Sequence, residues 1–134
     1  MRLSGLERIF MVYGIGIDLV ENERMERIIQ KWGDRFLARV FSPGEIAYCS
    51  RHAQASLHYG ARFAAKEAFL KAIGKGLGAG VNLLDIEVEN EKSGRPRLIL
   101  SGGARTCLDK ACVENVHLSI SHTKRYATAL VVLE

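Results

Sequence analysis

The segment from Ala127 to Leu133 reads ATALVVL and narrows the range of folds more than any other part of the sequence. Side chains of a strand point alternately to opposite faces of a sheet, so a strand that is apolar on both faces belongs inside a sheet. No apolar run approaches the ~20 residues that a membrane-spanning helix needs. The sequence therefore predicts a central β-strand here and no association with a membrane.

The rest of the chain alternates between strand-like and helix-like patterns. Strands, with apolar residues at every second position, are predicted at residues 12–20, 84–89, 97–101 and 116–121. Helices, with apolar residues three and four apart, are predicted at residues 25–32, 36–41, 57–73 and 104–112. A capping box formed by Ser42 and Glu45 predicts the start of a further short helix. This order of elements indicates an α+β fold, a mostly antiparallel sheet with helices packed on one side.

A length of 134 residues suits one globular domain. Hydrophobic residues make up 48% and charged residues 25%, which is the balance of a protein with a packed core rather than a disordered chain. Residues 11–134 are predicted to form this domain, because Met11 precedes the first strand pattern. Residues 1–10 are an N-terminal extension of unknown role, without the apolar stretch and cleavage site of a signal peptide.

The charge and the cysteines limit the partners and the location. The formal net charge is +4 and the basic residues are spread along the chain, which suits an anionic ligand but does not indicate nucleic acid. The three cysteines are an odd number without metal-binding spacing. We expect them to be small buried side chains of a protein in the reducing cytoplasm. They are Cys49, Cys107 and Cys112.

Asp18 is the first candidate for chemistry. It lies in an otherwise apolar strand, on the same face as Gly14 and Gly16. An unpaired carboxylate would be costly to bury there. Two interpretations stay open: an exposed residue at the strand end that caps the next helix, or a metal ligand beside glycines that let a ligand approach.

The helix predicted at residues 57–73 carries the second candidate group. Glu67 and Lys71 lie one turn apart, whereas Arg62 projects to the side of the helix roughly 180° from Lys71. Glu67 and Lys71 form either an ordinary surface pair or part of a binding site. The alanine-rich, phenylalanine-flanked helix favours a packed element whose charged stripe faces a ligand.

Two loops complete the candidate set. The glycine run that starts at Gly74 is interpreted either as a helix cap with a loop or as a phosphate-binding segment, but it lacks the spacing of a P-loop. The turn after residues 116–121 carries His122, Thr123 and Lys124, which are donors suited to a phosphate. A serine–histidine nucleophile pair is disfavoured, because no nucleophile elbow and no nearby orienting aspartate occur.

These features together resemble the holo-(acyl-carrier-protein) synthases, the small bacterial type of 4′-phosphopantetheinyl transferase. The resemblance rests on GIGIDLV at residues 14–20, RFAAKEA at residues 62–68 and SISHTK at residues 119–124, which is followed by Tyr126 and Ala127. The phrase FAAKEA is highly specific for that family. The likeness extends from about Met11 to Glu134 and leaves only the first ten residues without a counterpart.

The resemblance implies a reaction and a set of site residues. Family members transfer the 4′-phosphopantetheine of coenzyme A to a serine of apo acyl-carrier protein, with Mg²⁺ required, and release adenosine 3′,5′-bisphosphate. By position, Asp18 and Glu67 correspond to the metal ligands and form the catalytic set with Lys71. Either Glu67 or a water held at the metal accepts the serine proton. The implied contacts to coenzyme A are Arg62, Lys71, Gly74, His122 and Thr123.

The resemblance also implies two kinds of partner. The family is trimeric, with active sites at subunit interfaces, so that Arg62, His122 and Thr123 reach the nucleotide of a neighbouring subunit. Arg24 matches a position that contacts the carrier protein. With Arg27 and Lys31 it gives the first helix a basic edge that would attract an acidic carrier. The alternative is a solvated helix face balanced by the neighbouring glutamates.

Three other functions are compatible with parts of the pattern. A nucleotide- or RNA-binding module is disfavoured by an aromatic content of 7% without interleaved basic and aromatic residues. A different Mg²⁺-dependent phosphotransferase would share the carboxylates but need no carrier protein. A structural trimer without activity is disfavoured because Asp18, Glu67 and Lys71 are all present.

Overall fold

The computed structural model describes residues 11–74 and 80–134, so the predictions for residues 1–10 and 75–79 lie outside the described residues. The described helices are α1 (Asn22–Val40), α2 (Pro43–Ser50), α3 (Ala55–Ile73) and α4 (Gly102–Lys110). The strands are β1 (Gly14–Glu21), β2 (Ile86–Asn90), β3 (Pro96–Leu100), β4 (Val116–His122) and β5 (Tyr126–Leu133), and a 3₁₀ turn (Leu83–Asp85) precedes β2. The predicted α+β class is confirmed. No described helix is long and apolar enough to cross a bilayer.

The strands form two antiparallel sheets. The larger sheet has the order β1–β5–β4, so the prediction that the last strand is central is confirmed. Its register places Leu130 of β5 between Ile17 of β1 and Ser119 of β4. Strands β2 and β3 pair separately as a hairpin. Helix α3 covers one face of the three-stranded sheet, as expected for helices packed on one side.

Glycines on β1 let helix α3 approach the sheet closely. A Cβ at Gly14 would collide with the backbone carbonyl of Ala72, and a Cβ at Gly16 with that of Ala68. Any larger residue at these two positions would push the helix away from the strand. The helix ends as predicted at Gly74, whose φ of 73° lies in the left-handed region that favours glycine.

The opposite face of the three-stranded sheet carries exposed apolar side chains. Ile15, Ile17 and Leu19 of β1 are 60%, 61% and 64% exposed. Tyr126 and Leu130 of β5 are 44% and 39% exposed. We call these five residues the outer apolar face. Strand β1 is therefore buried on one side only, because the glycine side admits helix α3 and the core forms there.

Helix α1 consists of two helical segments that meet at Gly33. The φ of 56° and ψ of −140° at this residue interrupt the helix and separate the two segments that the sequence predicts. The predicted apolar stripe holds for Met25, which is 2% exposed, but not for Trp32, which is 54% exposed. The interruption at Gly33 directly follows Trp32, so Trp32 lies at the end of the first helical segment, outside the core.

The capping box at the start of α2 is confirmed. The Ser42 N–H donates to the Glu45 carboxylate at 2.9 Å, and the Glu45 N–H donates to the Ser42 hydroxyl at 3.2 Å. The same carboxylate accepts from Lys66 Nζ of α3 at 2.8 Å. Both side chains of this ion pair are 0% exposed. Glu45 therefore caps one helix and joins it to another.

The Glu45–Lys66 pair also satisfies backbone groups around it. Lys66 Nζ donates to the carbonyl oxygens of Leu83 at 3.0 Å and Ile86 at 2.6 Å. The second Glu45 oxygen accepts from the Val88 N–H at 3.0 Å. Helices α2 and α3 and strand β2 are thus joined through one buried polar network. The sequence does not reveal it, because Glu45 and Lys66 are 21 residues apart.

The cysteines differ in their surroundings. Cys49 is fully buried, and burial raises the pKa of its thiol to about 12. This thiol is therefore protonated and unreactive at neutral pH. Cys107 is half-buried and Cys112 is exposed. The expectation of small buried side chains is correct for Cys49 and wrong for Cys112.

Candidate active site

A cleft of about 410 Å³ lies where β1, α1 and α3 meet. Its polar lining includes Asp18 of β1, Arg24 of α1 and Glu67 of α3. Phe36 and Tyr126 are among its apolar walls. The sequence predicts the polar members but not these aromatic walls, because an aromatic side chain in a helix or a strand usually belongs to the core.

Asp18 stands on the inner face of β1 and points toward α3. Lys71 Nζ donates to Asp18 Oδ1 at 3.1 Å and to the carbonyl oxygen of Ile17 at 3.0 Å. The Asp18 side chain is only 18% exposed. The interpretation of Asp18 as a helix cap is wrong, because Glu21 occupies the N-cap position of α1. Asp18 is instead a partly buried carboxylate held beside a cation.

Glu67 lies on α3 in the same cleft and is half-buried. Its pKa is raised above the ordinary value of 4.5, mainly by burial and then by the negative charge of Asp18, while Lys71 acts in the opposite direction. Lys71 directs its ammonium group to Asp18 rather than to Glu67. The two carboxylates therefore repel each other across one cleft, and the positive charge of Lys71 opposes this repulsion only in part.

The donor set of the cleft fits a magnesium ion. Mg²⁺ is usually bound by one or two carboxylates together with water and substrate phosphate oxygens. No group of three or more His, Cys, Asp or Glu residues within residues 11–74 and 80–134 is arranged to hold a metal ion. Asp18 and Glu67 supply two hard oxygen donors and leave coordination positions for a phosphorylated substrate. A divalent cation would also remove the repulsion between them.

Arg62 lies on the side of α3 away from this cleft, as the helix geometry predicts. Its Nη2 donates to Asn90 Oδ1 at 2.9 Å, and its guanidinium carbon lies 4.0 Å from the centre of the Tyr48 ring. The side chain is buried, and its Nε has no hydrogen-bond partner within residues 11–74 and 80–134. One helix thus directs Lys71 to Asp18 and Arg62 to a second location.

His122 and Thr123 lie at the turn between β4 and β5. The His122 ring is 6.3 Å from the His58 ring, centre to centre. Thr123 Oγ1 accepts from the N–H groups of Arg125 and Tyr126 at 3.2 Å each and so holds the turn. Neither residue borders the cleft of Asp18 and Glu67. The structure of one chain therefore separates the predicted metal ligands from the predicted contacts to the nucleotide.

Lys71 and Gly74 lie at the end of α3. The Lys71 side chain is 55% exposed despite its contacts with β1, and Gly74 is exposed at the C-cap. An exposed cation that contacts Asp18 is accessible to a phosphorylated ligand. Neither residue lines the cleft, and Lys71 is joined to it through its contact with Asp18.

Comparison with known proteins agrees with this arrangement. Residues 14–131 match the 4′-phosphopantetheinyl transferase superfamily. The holo-[acyl-carrier-protein] synthase of Syntrophus aciditrophicus is 52% identical over 124 residues, which cover 92% of this chain and 97% of that protein. The motifs that suggested the family therefore lie within a similarity that spans most of the chain.

Two crystal structures show the same fold. The holo-[acyl-carrier-protein] synthase of Neisseria meningitidis gives a TM-score of 0.84 at 33% identity, covering 92% of this chain and 99% of that one. The Bacillus anthracis synthase, solved in complex with CoA (3′,5′-ADP), gives 0.75 at 40% identity, with 92% and 96% covered. The chain belongs to the 4′-phosphopantetheinyl transferase superfamily and, within it, to the holo-[acyl-carrier-protein] synthases, which transfer phosphopantetheine from coenzyme A to apo acyl-carrier protein.

Proposed function

We propose that this chain performs that transfer in the cytoplasm with Mg²⁺ held by Asp18 and Glu67. The observation that carries the proposal is the pair of carboxylates in one cleft, close enough for the charge of Asp18 to raise the pKa of Glu67. Such a pair is electrostatically unfavourable unless a cation binds it. When bound, Mg²⁺ would neutralise charge on the diphosphate of coenzyme A and make its phosphorus easier to attack.

Glu67, Lys71 and Gly74 have separate roles in this proposal. Lys71 is exposed enough to exchange its contact with Asp18 for one with a substrate phosphate, and its charge would stabilise the leaving bisphosphate. Glu67, or a water that it orients at the metal, is the candidate base for the serine hydroxyl. Gly74 follows Lys71 at the helix end, where its exposed backbone is available to the same phosphates.

The experiment is incubation of the protein with coenzyme A, Mg²⁺ and an apo acyl-carrier protein. Mass spectrometry of the carrier should show the addition of one phosphopantetheinyl group on a serine. Omission of Mg²⁺, with a chelator present, should prevent the addition. If no apo carrier is modified under conditions in which the protein is folded, the proposal is wrong.

The carrier protein is expected to dock along α1. Arg24 lines the cleft, and Arg27 and Lys31 extend a basic edge from it. This edge leads to Trp32, which is 54% exposed and has the Lys31 ammonium 5.1 Å from its ring. Basic residues beside an exposed aromatic side chain suit an acidic protein surface with an apolar centre. The arrangement would bring the serine of the carrier to Glu67.

We assign the outer apolar face to contacts between three copies of the chain. It groups five large apolar side chains that are 39% to 64% exposed on one face of the sheet, which is unusual for a surface that stays in water. Arg62, His122 and Thr123 lie outside the cleft and would complete the active site of a neighbouring protomer. A shared site explains why one chain separates the two groups of residues.

Replacement of Ile15 by glutamate tests the assembly. Ile15 is 60% exposed in the single chain, so the charge would be tolerated in a monomer but not in a buried interface. We expect light scattering to show one subunit instead of three and transfer to fall by at least ~10-fold. The control is Ile99→Glu, on the separate β2–β3 hairpin, which should leave both properties unchanged. A wild-type protein of one subunit with full activity would contradict the assignment.

A further inference from the structure

Tyr126, the first residue of β5, lines the cleft of Asp18 and Glu67 and adds a phenolic hydroxyl to it. The backbone N–H of Tyr126 donates to Thr123 Oγ1 at 3.2 Å. Within residues 11–74 and 80–134, the hydroxyl itself has no hydrogen-bond partner. A phenol carries its proton at neutral pH, so this hydroxyl is a donor that a substrate can use.

The cleft offers few donors to an anionic substrate. Among the described residues that line it, three carry carboxylates, namely Asp18, Glu21 and Glu67. Only Arg24 and Tyr126 of this described lining carry donors on their side chains. Arg24 belongs to the basic edge on which the carrier is expected to dock. A diphosphate has acceptors and no donors, so the hydroxyl of Tyr126 matches its chemistry and the carboxylates do not.

The register of the sheet places Tyr126 and Lys71 toward opposite ends of β1, with Asp18 between them. Tyr126 stands directly across from Glu21, which is three residues beyond Asp18. Three residues correspond to roughly 10 Å along a strand. Lys71 instead contacts the carbonyl oxygen of Ile17 and the carboxylate of Asp18. The distance between Asp18 and Tyr126 leaves room for a phosphoryl group and a serine side chain.

Displacement at phosphorus uses two opposite sides of the reacting group. The attacking and leaving oxygens lie roughly in line, with the phosphorus between them. In the proposed function Lys71 stabilises the leaving bisphosphate, so the side of Tyr126 is the side on which the serine attacks. Helix α1 begins directly after Glu21, and its docking edge for the carrier therefore starts on this side as well.

We propose that the Tyr126 hydroxyl donates a hydrogen bond to a non-bridging oxygen of the transferred phosphoryl group, and that this bond strengthens as the serine attacks. The inference rests on the proposed function and adds a catalytic residue to it. The serine oxygen bonds to the phosphorus next to pantetheine, and the bond from that phosphorus to the oxygen of adenosine 3′,5′-bisphosphate breaks, leaving its electron pair on that oxygen. The serine proton passes to Glu67 or to the water that Glu67 orients. Tyr126 keeps its own proton.

The place of Tyr126 on the outer apolar face connects this role with assembly. The side chain is 44% exposed in the single chain and would be covered by a neighbouring protomer. Exclusion of water strengthens a hydrogen bond to developing negative charge, because the local dielectric constant falls. Tyr126 would therefore be a more effective donor in the assembled protein than in a separate subunit.

Tyr126→Phe tests the role, because it removes the hydroxyl and keeps the aromatic ring of the outer apolar face. We expect kcat to fall by ~10²-fold at saturating coenzyme A and carrier, with the KM for coenzyme A changed by less than about 3-fold. Calorimetric titration with coenzyme A in the absence of carrier should show an affinity close to that of the wild type. Light scattering should show the same assembly.

Tyr13→Phe is the matched control. Tyr13 is 52% exposed directly before β1 and does not line the cleft of Asp18 and Glu67. This variant should transfer at the wild-type rate. Tyr126→Leu also lacks the hydroxyl, should show the same loss of kcat, and serves if the phenylalanine variant does not assemble.

Two results would overturn the inference. One is a fall in kcat of less than ~10-fold in an assembled Tyr126→Phe protein, and the other is a loss confined to KM. In either case transfer by the wild type is unaffected, and only the role of Tyr126 fails. If the wild-type protein itself modifies no carrier, the proposed function fails and the inference fails with it.

Discussion

Glu67→Gln should abolish phosphopantetheine transfer while the fold is retained. The variant keeps the shape of the side chain but removes one of the two carboxylates proposed to hold Mg²⁺ and the candidate base. We expect kcat to fall by at least ~10³-fold, which corresponds to about 4 kcal/mol of lost transition-state stabilisation. Asp18→Asn should have an effect of the same size. The measurement is the rate of carrier modification at saturating coenzyme A.

The same variant should be more stable than the wild type in the absence of Mg²⁺. The folded-state pKa of Glu67 is raised above 4.5, so the native protein binds this proton more tightly than the unfolded chain does. The stability of the wild type therefore falls as the pH rises from 4.5 through the folded-state pKa, and Glu67→Gln lacks this loss. Thermal unfolding should show equal stability of the two proteins below pH 4.5 and a higher Tm for the variant at pH 7.

Added Mg²⁺ should reverse this order. It should raise the Tm of the wild type by binding the native state and leave that of Glu67→Gln nearly unchanged. Glu91→Gln, at an exposed glutamate in the turn between β2 and β3, is the matched control and should transfer normally. A Glu67→Gln protein with near-normal transfer would remove both the metal assignment and the base assignment.

Glu45→Gln should destabilise the protein by about 3–5 kcal/mol, because it leaves Lys66 charged and unpaired in the core. Both side chains are 0% exposed in the wild type, so water cannot replace the lost carboxylate. Glutamine still suits the third position of a capping box, and the start of α2 is therefore preserved. The free energy of unfolding in urea measures the effect.

The pH dependence identifies the cause of this loss. Burial lowers the pKa of Lys66 from 10.5, and the charge of Glu45 acts against that shift. Without the carboxylate the folded-state pKa falls further, so the native variant releases the proton more readily than the unfolded chain does. The stability of Glu45→Gln should therefore rise between the lowered folded-state pKa and 10.5, and approach that of the wild type at high pH.

Two further variants separate charge from packing. Lys66→Met in the Glu45→Gln background removes the buried charge and should recover part of the stability, although the carbonyls of Leu83 and Ile86 lose a donor. Glu89→Gln breaks the exposed pair with Arg97 and should change stability by less than about 0.5 kcal/mol. Equal losses in Glu45→Gln and Glu89→Gln would contradict the assignment of a buried ion pair.

Features set by neighbouring residues were predictable from the sequence. The central position of β5 follows from its apolar residues on both faces, the start of α2 from Ser42 and Glu45, and the end of α3 from Gly74. The opposite directions of Arg62 and Lys71 follow from the helical period alone. Each of these depends on the geometry of a few consecutive residues, which the sequence states directly.

The motifs shared with a family identified Asp18 and Glu67 as candidates, but not their surroundings. That they share a cleft and influence each other's ionisation depends on the packing of α3 against β1, since the two residues are far apart in the chain. The same holds for Lys71, whose partner is Asp18 and not the nearer Glu67. A Lys71–Glu67 pair within the helix and a Lys71–Asp18 pair between helix and strand are equally compatible with the sequence.

The sequence by itself determined the elements, the central strand and the positions of the charged side chains along them. The tertiary structure decided which side of β1 is buried, which cation meets Glu45, and that His52, His58 and His122 lie together. The physical reason is the range of the interactions. Backbone hydrogen bonding and side-chain alternation act over a few residues, whereas burial and pairing of charges depend on segments that only folding brings into contact.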